Sequence, residues 1–232
     1  MEMWVKFCLL LIGTYLLGAF PTAYVCVKLV SGADIRKIGT GNVGSSNVAR
    51  TTSIWLAIAV GLFDMGKGTL AVFIAYWLGM NAWQMMAIGF MIVAGHNWSV
   101  FIGFHGEKGM ITTLGVIFAI SPLLGLLILI IVYFPAIVKQ MALGVLACFV
   151  ALPLLNWFAW EWFASARFGS DDKVAVTVGM FCIALMGAAK RLIGHRVAIS
   201  RDVPMSKLLL NRLLFDRDIR NRREWIDRAS VN

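Results

Sequence analysis

Residues Lys37 to Thr51 read KIGTGNVGSSNVART, a stretch that gathers three glycines, two asparagines, several hydroxyls and an arginine. Such a loop can turn successive backbone N–H groups towards one point and make an anion nest. Gly39, Gly41 and Gly44 would shape it, and Thr40, Asn42, Ser45, Ser46 and Asn47 would add donors. Arg50 offers a charged fork suited to phosphate or carboxylate. The glycines also spell G-x-G-x-x-G, and Asp64 follows 20 residues after Gly44, as a dinucleotide fingerprint asks. That motif needs a strand before it and a soluble βαβ unit around it, whereas here an apolar run precedes the loop and Asp64 lies inside another. On this segment alone, an anion loop and a plain polar connection stand level.

Two further segments carry charge. FDMGKG sets Asp64 and Lys67 three residues apart in an otherwise apolar run, and intramembrane charges usually face a site or a partner. At that spacing they could equally neutralise each other as a structural pair. GHNWSVFIGFHGEKGMITT, residues 95–113, contains His96, His105 and a second glycine-lysine turn formed by Gly106, Glu107, Lys108 and Gly109; Thr112 opens the next apolar run. His96, His105 and Glu107 fit no standard zinc spacing, so no metal is expected. No Cys-His or Ser-His-Asp set is present, and no cofactor is expected.

The elements that hold these segments are set by composition. The chain has 232 residues, 60% hydrophobic and 14% charged, with a mean hydropathy of +0.81, too apolar for a soluble domain. The expected fold is all-α, a polytopic integral membrane helical bundle. Phe7 to Val27 and Met110 to Val138 contain no charged residue, and each reaches the roughly 20 residues that span a hydrocarbon core. The first run exceeds a signal peptide's h-region of about 7–15 residues and lacks an A-x-A site, so it reads as a retained helix. Hydropathy places spans near 4–28, 54–79, 82–103, 111–134, 137–160 and 174–194.

Between Lys190 and Arg228 there are 11 Lys/Arg against 5 acids, so +6 of the formal +9 sits in the tail. Positive segments beside membrane helices stay cytoplasmic. Loop 31–53 carries Arg36, Lys37 and Arg50 against Asp34, which puts it inside and the N-terminus outside. Six plain crossings would then return the tail to the outside, so an odd number, 5 or 7, is expected. The ambiguity falls in 112–164, where Pro122, Pro135 and Pro153 allow breaks. Residues 1–195 read as the transmembrane domain and 196–232 as a basic cytoplasmic tail. Its charge suits anionic lipid better than nucleic acid. Leu208, Phe215, Ile219 and Ile226, after Pro204 and a Ser206 cap, suggest a helix lying on the inner leaflet. Cys8, Cys26, Cys148 and Cys182 sit far apart in apolar runs and read as packing residues.

Taken together, the polar segments resemble the motifs of the bacterial acyl-phosphate:glycerol-3-phosphate acyltransferase family (PlsY). GTGNVGSSNVAR is similar to its GSGNxGxxNxxR loop, FDMGKG to its DxxKG, and GHNWSVFIGFHGEKGMIT to its GHxxPVFxxFxGGKGxAT, in the same order over about residues 10–120. The resemblance implies a bacterial inner-membrane enzyme that moves a fatty acyl group from acyl phosphate to glycerol 3-phosphate in phospholipid synthesis. Thr40, Arg50 and Lys108 would then be catalytic. Gly39, Gly41, Asn42, Gly44, Asn47, Lys67, His96, Gly106, Gly109 and Thr112 would bind substrate, with membrane lipids as surroundings. Thr40 replaces a family serine and Glu107 a family glycine. The family's late HRxNIxRL pattern, laid over Leu185 to Leu192, puts its histidine on Leu185 and its asparagine on Ala188, with His195 one helix turn beyond Arg191. In that register activity is expected to be weak. The competing reading is a non-catalytic homologue serving as a subunit of a membrane complex. A transporter for organic anions would need more polar lining than Asp64 and Lys67 provide.

A cysteine introduced at Ser230 should react with an impermeant thiol reagent only after the membrane is opened; labelling of intact cells would reverse the orientation read from the +6 tail.

Overall fold

A computed structural model describes residues 2–163, 168–193 and 198–227. The described chain is helical, with one isolated bridge between Ser99 and His105. The first apolar run forms α1 (Met3–Ala19) and α2 (Thr22–Ser31), interrupted because Pro21 has no N–H to continue the ladder. The glycine-rich segment leads into a short α3 (Ser45–Thr51), followed by α4 (Ile54–Trp77). A turn through Gly79, which takes φ +74°, leads to α5 (Ala82–Asn97), whose start is closed by a reciprocal Asn81–Gln84 capping box.

The next run does not form the unbroken span expected over 111–134. It folds as α6 (Met110–Ile120) and α7 (Pro122–Tyr133), and Ser121 ends the first while capping the second by accepting the Leu124 N–H. Pro122 fits at the first helical position, where an N–H would be unpaired anyway. Ser121 also donates to the Phe163 carbonyl, and Gly144 packs on the Val132 carbonyl, so α7 lies antiparallel to α8 (Met141–Phe158). Pro153 is accommodated within α8. A short α9 (Trp160–Phe163) precedes α10 (Lys173–Leu192), and the tail supplies α11 (Met205–Phe215) and α12 (Arg222–Asp227).

Among the described residues, four helical stretches are long and apolar enough to cross a membrane: Met3–Ser31, Ile54–Trp77, Met141–Phe158 and Ser170–Leu192. Their outward faces carry Leu9, Ile12, Leu62, Trp77, Leu154, Phe158 and Phe181, all exposed, as a lipid-facing surface requires. Inside, α5 packs on α1, α4 and α10, and α6 on α4. Small residues let the backbones meet. A Cβ on Gly95 would lie 2.1 Å from the Tyr15 carbonyl oxygen, and one on Gly115 would lie 2.0 Å from that of Met65.

The tail differs from the single amphipathic helix expected from its periodicity. α11 begins at Met205 without a side-chain cap and stops at Asp216, which takes a left-handed conformation at φ 59°. Ile219 therefore lies beyond it. Leu208 and Arg212 turn inward: Arg212 donates to the Leu192 carbonyl at 2.9 Å and pairs with Asp218 at 2.7 Å. Arg191 donates to Leu213 at 2.9 Å and to Ala142 at 3.0 Å, which ties α10, α8 and the tail together. Met205, Leu209 and Leu210 remain exposed on the other face.

Candidate functional site

Breaking α1 from α2 frees backbone carbonyls inside the bundle, and unpaired carbonyls in a membrane interior are costly. The Gly18 carbonyl accepts from Lys67 Nζ at 3.0 Å, and the Ala19 carbonyl accepts from Ser99 Oγ. Lys67 also pairs with Asp64 at 2.8 Å and donates to His96 Nδ1 at 2.9 Å. The three donors of its ammonium are thereby used, and the Lys67 and Asp64 side chains keep 1% and 2% of their exposure. Lys67, expected from the sequence to bind substrate, is held here as a buried cation among protein partners. Asp64, completed by a hydrogen bond from Thr22 at 3.0 Å, belongs to the same knot.

Ligand atoms of Asp64, His96 and Glu107 lie within 4.8 Å of one another. The Lys67 ammonium, bonded to both Asp64 and His96, already supplies the positive charge there. His105 instead turns Nδ1 to the Ile102 and Gly103 carbonyls, both at 3.1 Å.

The glycine-rich loop is organised from within. Asn47 is fully buried; its Oδ1 accepts from the Thr40 N–H at 2.9 Å, and its Nδ2 donates to the carbonyls of Ile35, Ile38 and Asn42. Gly41 N–H bonds to Ile38, and Asn42 N–H approaches Thr40 Oγ1. Of the N–H groups around Gly39 to Gly44 expected to form a nest, those of Thr40, Gly41 and Asn42 are used by the loop itself. Asn47 is its keystone, and both protons of its amide are taken by loop carbonyls. Gly39, at φ +58°, must be glycine for space as well, since a Cβ would lie 2.3 Å from Asn47 Oδ1. This rigid loop presents Arg50, exposed on α3, with no hydrogen-bond or ion-pair partner among the described residues.

The second loop meets the first. Glu107 reaches across so that a Cβ on Gly44 would lie 2.4 Å from Glu107 Oε2. Gly106 and Gly109 serve this packing, the first against the Asn97 and His96 carbonyls and the second, at φ +73°, against Asn97 Oδ1. Asn97 and Thr112 are buried, and Thr112 Oγ1 and both polar atoms of the Asn97 amide lack hydrogen-bond partners among the described residues. Lys108 pairs with Asp216 at 2.5 Å, and Asp216 also faces Arg191 at 3.9 Å. The Glu107–Gly44 contact thus joins the loop that carries Lys108 to the one that leads into the helix of Arg50, and this junction is the polar mouth of the bundle.

A sequence profile described as Glycerol-3-phosphate acyltransferase matches residues 8–203. A glycerol-3-phosphate acyltransferase 4 of Dehalococcoides mccartyi (strain CBDB1) is 37% identical over 97% of this chain and 95% of its own. This chain belongs to the glycerol-3-phosphate acyltransferase family. A relative of the same name from Thermoanaerobacter sp. (strain X514) is 40% identical over 63% of this chain and 74% of its own. The crystal structure of PlsY (YgiH), an integral membrane glycerol 3-phosphate acyltransferase, in its glycerol 3-phosphate form superposes with a TM-score of 0.72 at 28% identity, covering 93% of this chain and 96% of that one.

With the family in view, the late motif needs correcting. Leu185 is 58% exposed on α10 and, with Ala188, lines an apolar groove against α8, where a polar contact to an acceptor has no place. Ten residues further on, His195, Arg196, Ile199 and Arg201 fall on four of the six fixed positions of HRxNIxRL, with Ala198 at the asparagine and Asp202 at the leucine. Residues 194–197 lie outside the described residues. Spacing shows the better register once four matches are weighed against the two offered by Arg191 and Leu192. Asp216 carried no local signal at all, because its contact with Lys108 joins residues 108 positions apart.

Replacing Lys67 with methionine should strand the buried Asp64 charge and the Gly18 carbonyl, costing about 3–5 kcal/mol. Thermal unfolding in detergent checks this, and an unchanged Tm would return Lys67 to the substrate site.

Proposed function

We propose that this chain transfers a fatty acyl group from acyl phosphate to glycerol 3-phosphate at the cytoplasmic face of a bacterial inner membrane. The contact of Glu107 with Gly44 carries the reading, because it closes the loop of Lys108 onto the loop of Arg50. Acyl phosphate is already activated, so the protein has mainly to hold two anions together and stabilise developing charge. The unpaired Arg50 and the half-exposed Lys108 suit that work, with Thr40 and the Asn42 side chain as neighbours in the loop. Family membership supports glycerol 3-phosphate as the acceptor.

An apolar groove of about 670 Å³ runs between α8 and α10, with Phe149, Leu154, Phe158, Val178, Phe181 and Leu185 among its walls. Arg191 stacks on Phe149 at 5.4 Å and faces Asp216, the partner of Lys108, which connects the groove to the polar mouth. The groove suits the acyl chain. We further propose an odd number of crossings, seven when α6 and α7 are counted as two short passes meeting at Ser121. The N-terminus is then outside and the basic tail inside, where exposed Met205, Leu209 and Leu210 suit the headgroup layer.

Purified protein in detergent, supplied with acyl phosphate and glycerol 3-phosphate, should form the acylated product. Arg50→Ala and Lys108→Ala should each lose about 100-fold or more in kcat while melting as the wild type does; near-normal turnover by either would misplace the phosphate site. Val178→Trp should narrow the groove and cut kcat/KM for long acyl chains several-fold relative to short ones, and an unaltered chain-length profile would exclude the groove as the acyl site.

A further inference from the structure

The family profile ends at residue 203, and the first helix of the tail, α11, begins just beyond it. That helix stops at Asp216, whose N–H bonds to the Arg212 carbonyl at 3.0 Å and whose backbone is left-handed. Its position is held from both sides. Arg212 pairs with Asp218 at 2.7 Å, Ser200 donates to Asp218 at 2.9 Å, and Arg191 donates to the Leu213 carbonyl at 2.9 Å. The backbone is fixed, and the Asp216 carboxylate stands between two cations. Oδ2 lies 2.5 Å from Lys108 Nζ, while Oδ1 stops 3.9 Å from Arg191 Nε.

Those two cations differ in what they lack. Arg191 is buried, its two terminal nitrogens donate to the Leu213 and Ala142 carbonyls, and its Nε has no hydrogen-bond partner among the described residues. A buried N–H without an acceptor is unfavourable, and rotation of the Asp216 side chain would supply one. Lys108 is half-exposed, and Asp216 is its one ion-paired partner among the described residues. The carboxylate therefore satisfies the open lysine and leaves the buried arginine short.

We propose that Asp216 is a resident anion of the substrate site: it occupies Lys108 while the site is empty, and a substrate phosphate takes its place, releasing the carboxylate to Arg191 Nε. The inference rests on the reading of Lys108 as a phosphate-gripping residue above. A phosphate monoester carries about −1.5 to −2 charge near neutral pH, against −1 for the carboxylate, so it is the stronger partner for the ammonium. The pair that breaks is half-exposed and weak. The contact that forms completes a buried donor. Each state leaves one demand met and one open, which suits an exchange that must run in both directions at every turnover. The tail thereby becomes part of the site and sets its affinity for phosphate.

The test titrates glycerol 3-phosphate and inorganic phosphate separately into purified protein in detergent, by calorimetry, with wild type, Asp216→Asn and Asp216→Gly. Both replacements accept the left-handed backbone that ends α11, so the Tm should change little. Asp202→Asn removes an exposed acid elsewhere in the tail and should bind as the wild type does. With the resident anion gone, the Kd for phosphate should fall about two- to fivefold in both Asp216 variants, the worth of a half-exposed ion pair. Asp216→Asn made in a Lys108→Gln background should leave Kd where Lys108→Gln alone sets it, because the exchange needs the lysine. General repulsion by a nearby acid would instead lower Kd in either background. An unchanged or raised Kd in the two single variants, an equal fall in the Lys108→Gln background, or no binding by any of these proteins would overturn the proposal. Unfolding of both Asp216 variants would make the residue a helix stop and overturn it as well. Turnover of acyl phosphate is measured on the same wild-type preparation: its absence would sink the acyl-transfer reading, whereas the titrations decide the exchange without it.

Discussion

In a hydrocarbon interior each polar group must find its partner within the protein, and the Pro21 break is where this chain meets that constraint. Stopping α1 leaves the Gly18 and Ala19 carbonyls without helical donors, and Lys67 and Ser99 supply them. Lys67 in turn needs Asp64 as counter-charge, and its remaining proton goes to His96. That contact sets the imidazole tautomer and aims Nε2 at the loop of Glu107 and Lys108. One chain break is thus tied, through three buried side chains, to the geometry of the polar mouth.

This dependence explains what could be read from the residues and what could not. Hydropathy located the apolar helices because each must hide its own backbone, and the three polar segments stood out because charge and glycine are rare among them. The break at Ser121 was visible as Pro122, yet its meaning was not, since a proline marks an interruption without showing where the next helix goes. Pro153 lies inside α8 without ending it. Asn47 and Lys67 had the right chemistry for a ligand, and only their partners, set by packing, show that both are used internally. Composition could not distinguish a donor aimed at a phosphate from one aimed at a carbonyl.

The tail shows the same limit at longer range. Its apolar spacing was real, but a left-handed Asp216 stops the helix that the spacing implied. Arg191, which the late family pattern also covers, and Arg212, one of the positive charges of the tail, are buried ties that lock the tail against α8 and α10. Charge that orients a membrane protein can also hold its cytoplasmic cap in place, and counts of Lys and Arg do not separate the two uses.

Magnitudes decide which of the two site lysines can meet an anion. Freeing Lys67 would strand Asp64 in the bundle, and uncompensating a buried pair costs about 3–5 kcal/mol, more than a single new phosphate contact returns. Lys108 keeps 33% of its side-chain exposure and Asp216 keeps 25%, and pairs so placed contribute only about 0–1 kcal/mol. When Lys108 turns to a substrate, Asp216 retains Arg191 at 3.9 Å, so no charge is left alone. The deep lysine holds the scaffold because leaving is expensive, and the shallow one can serve chemistry because leaving is cheap.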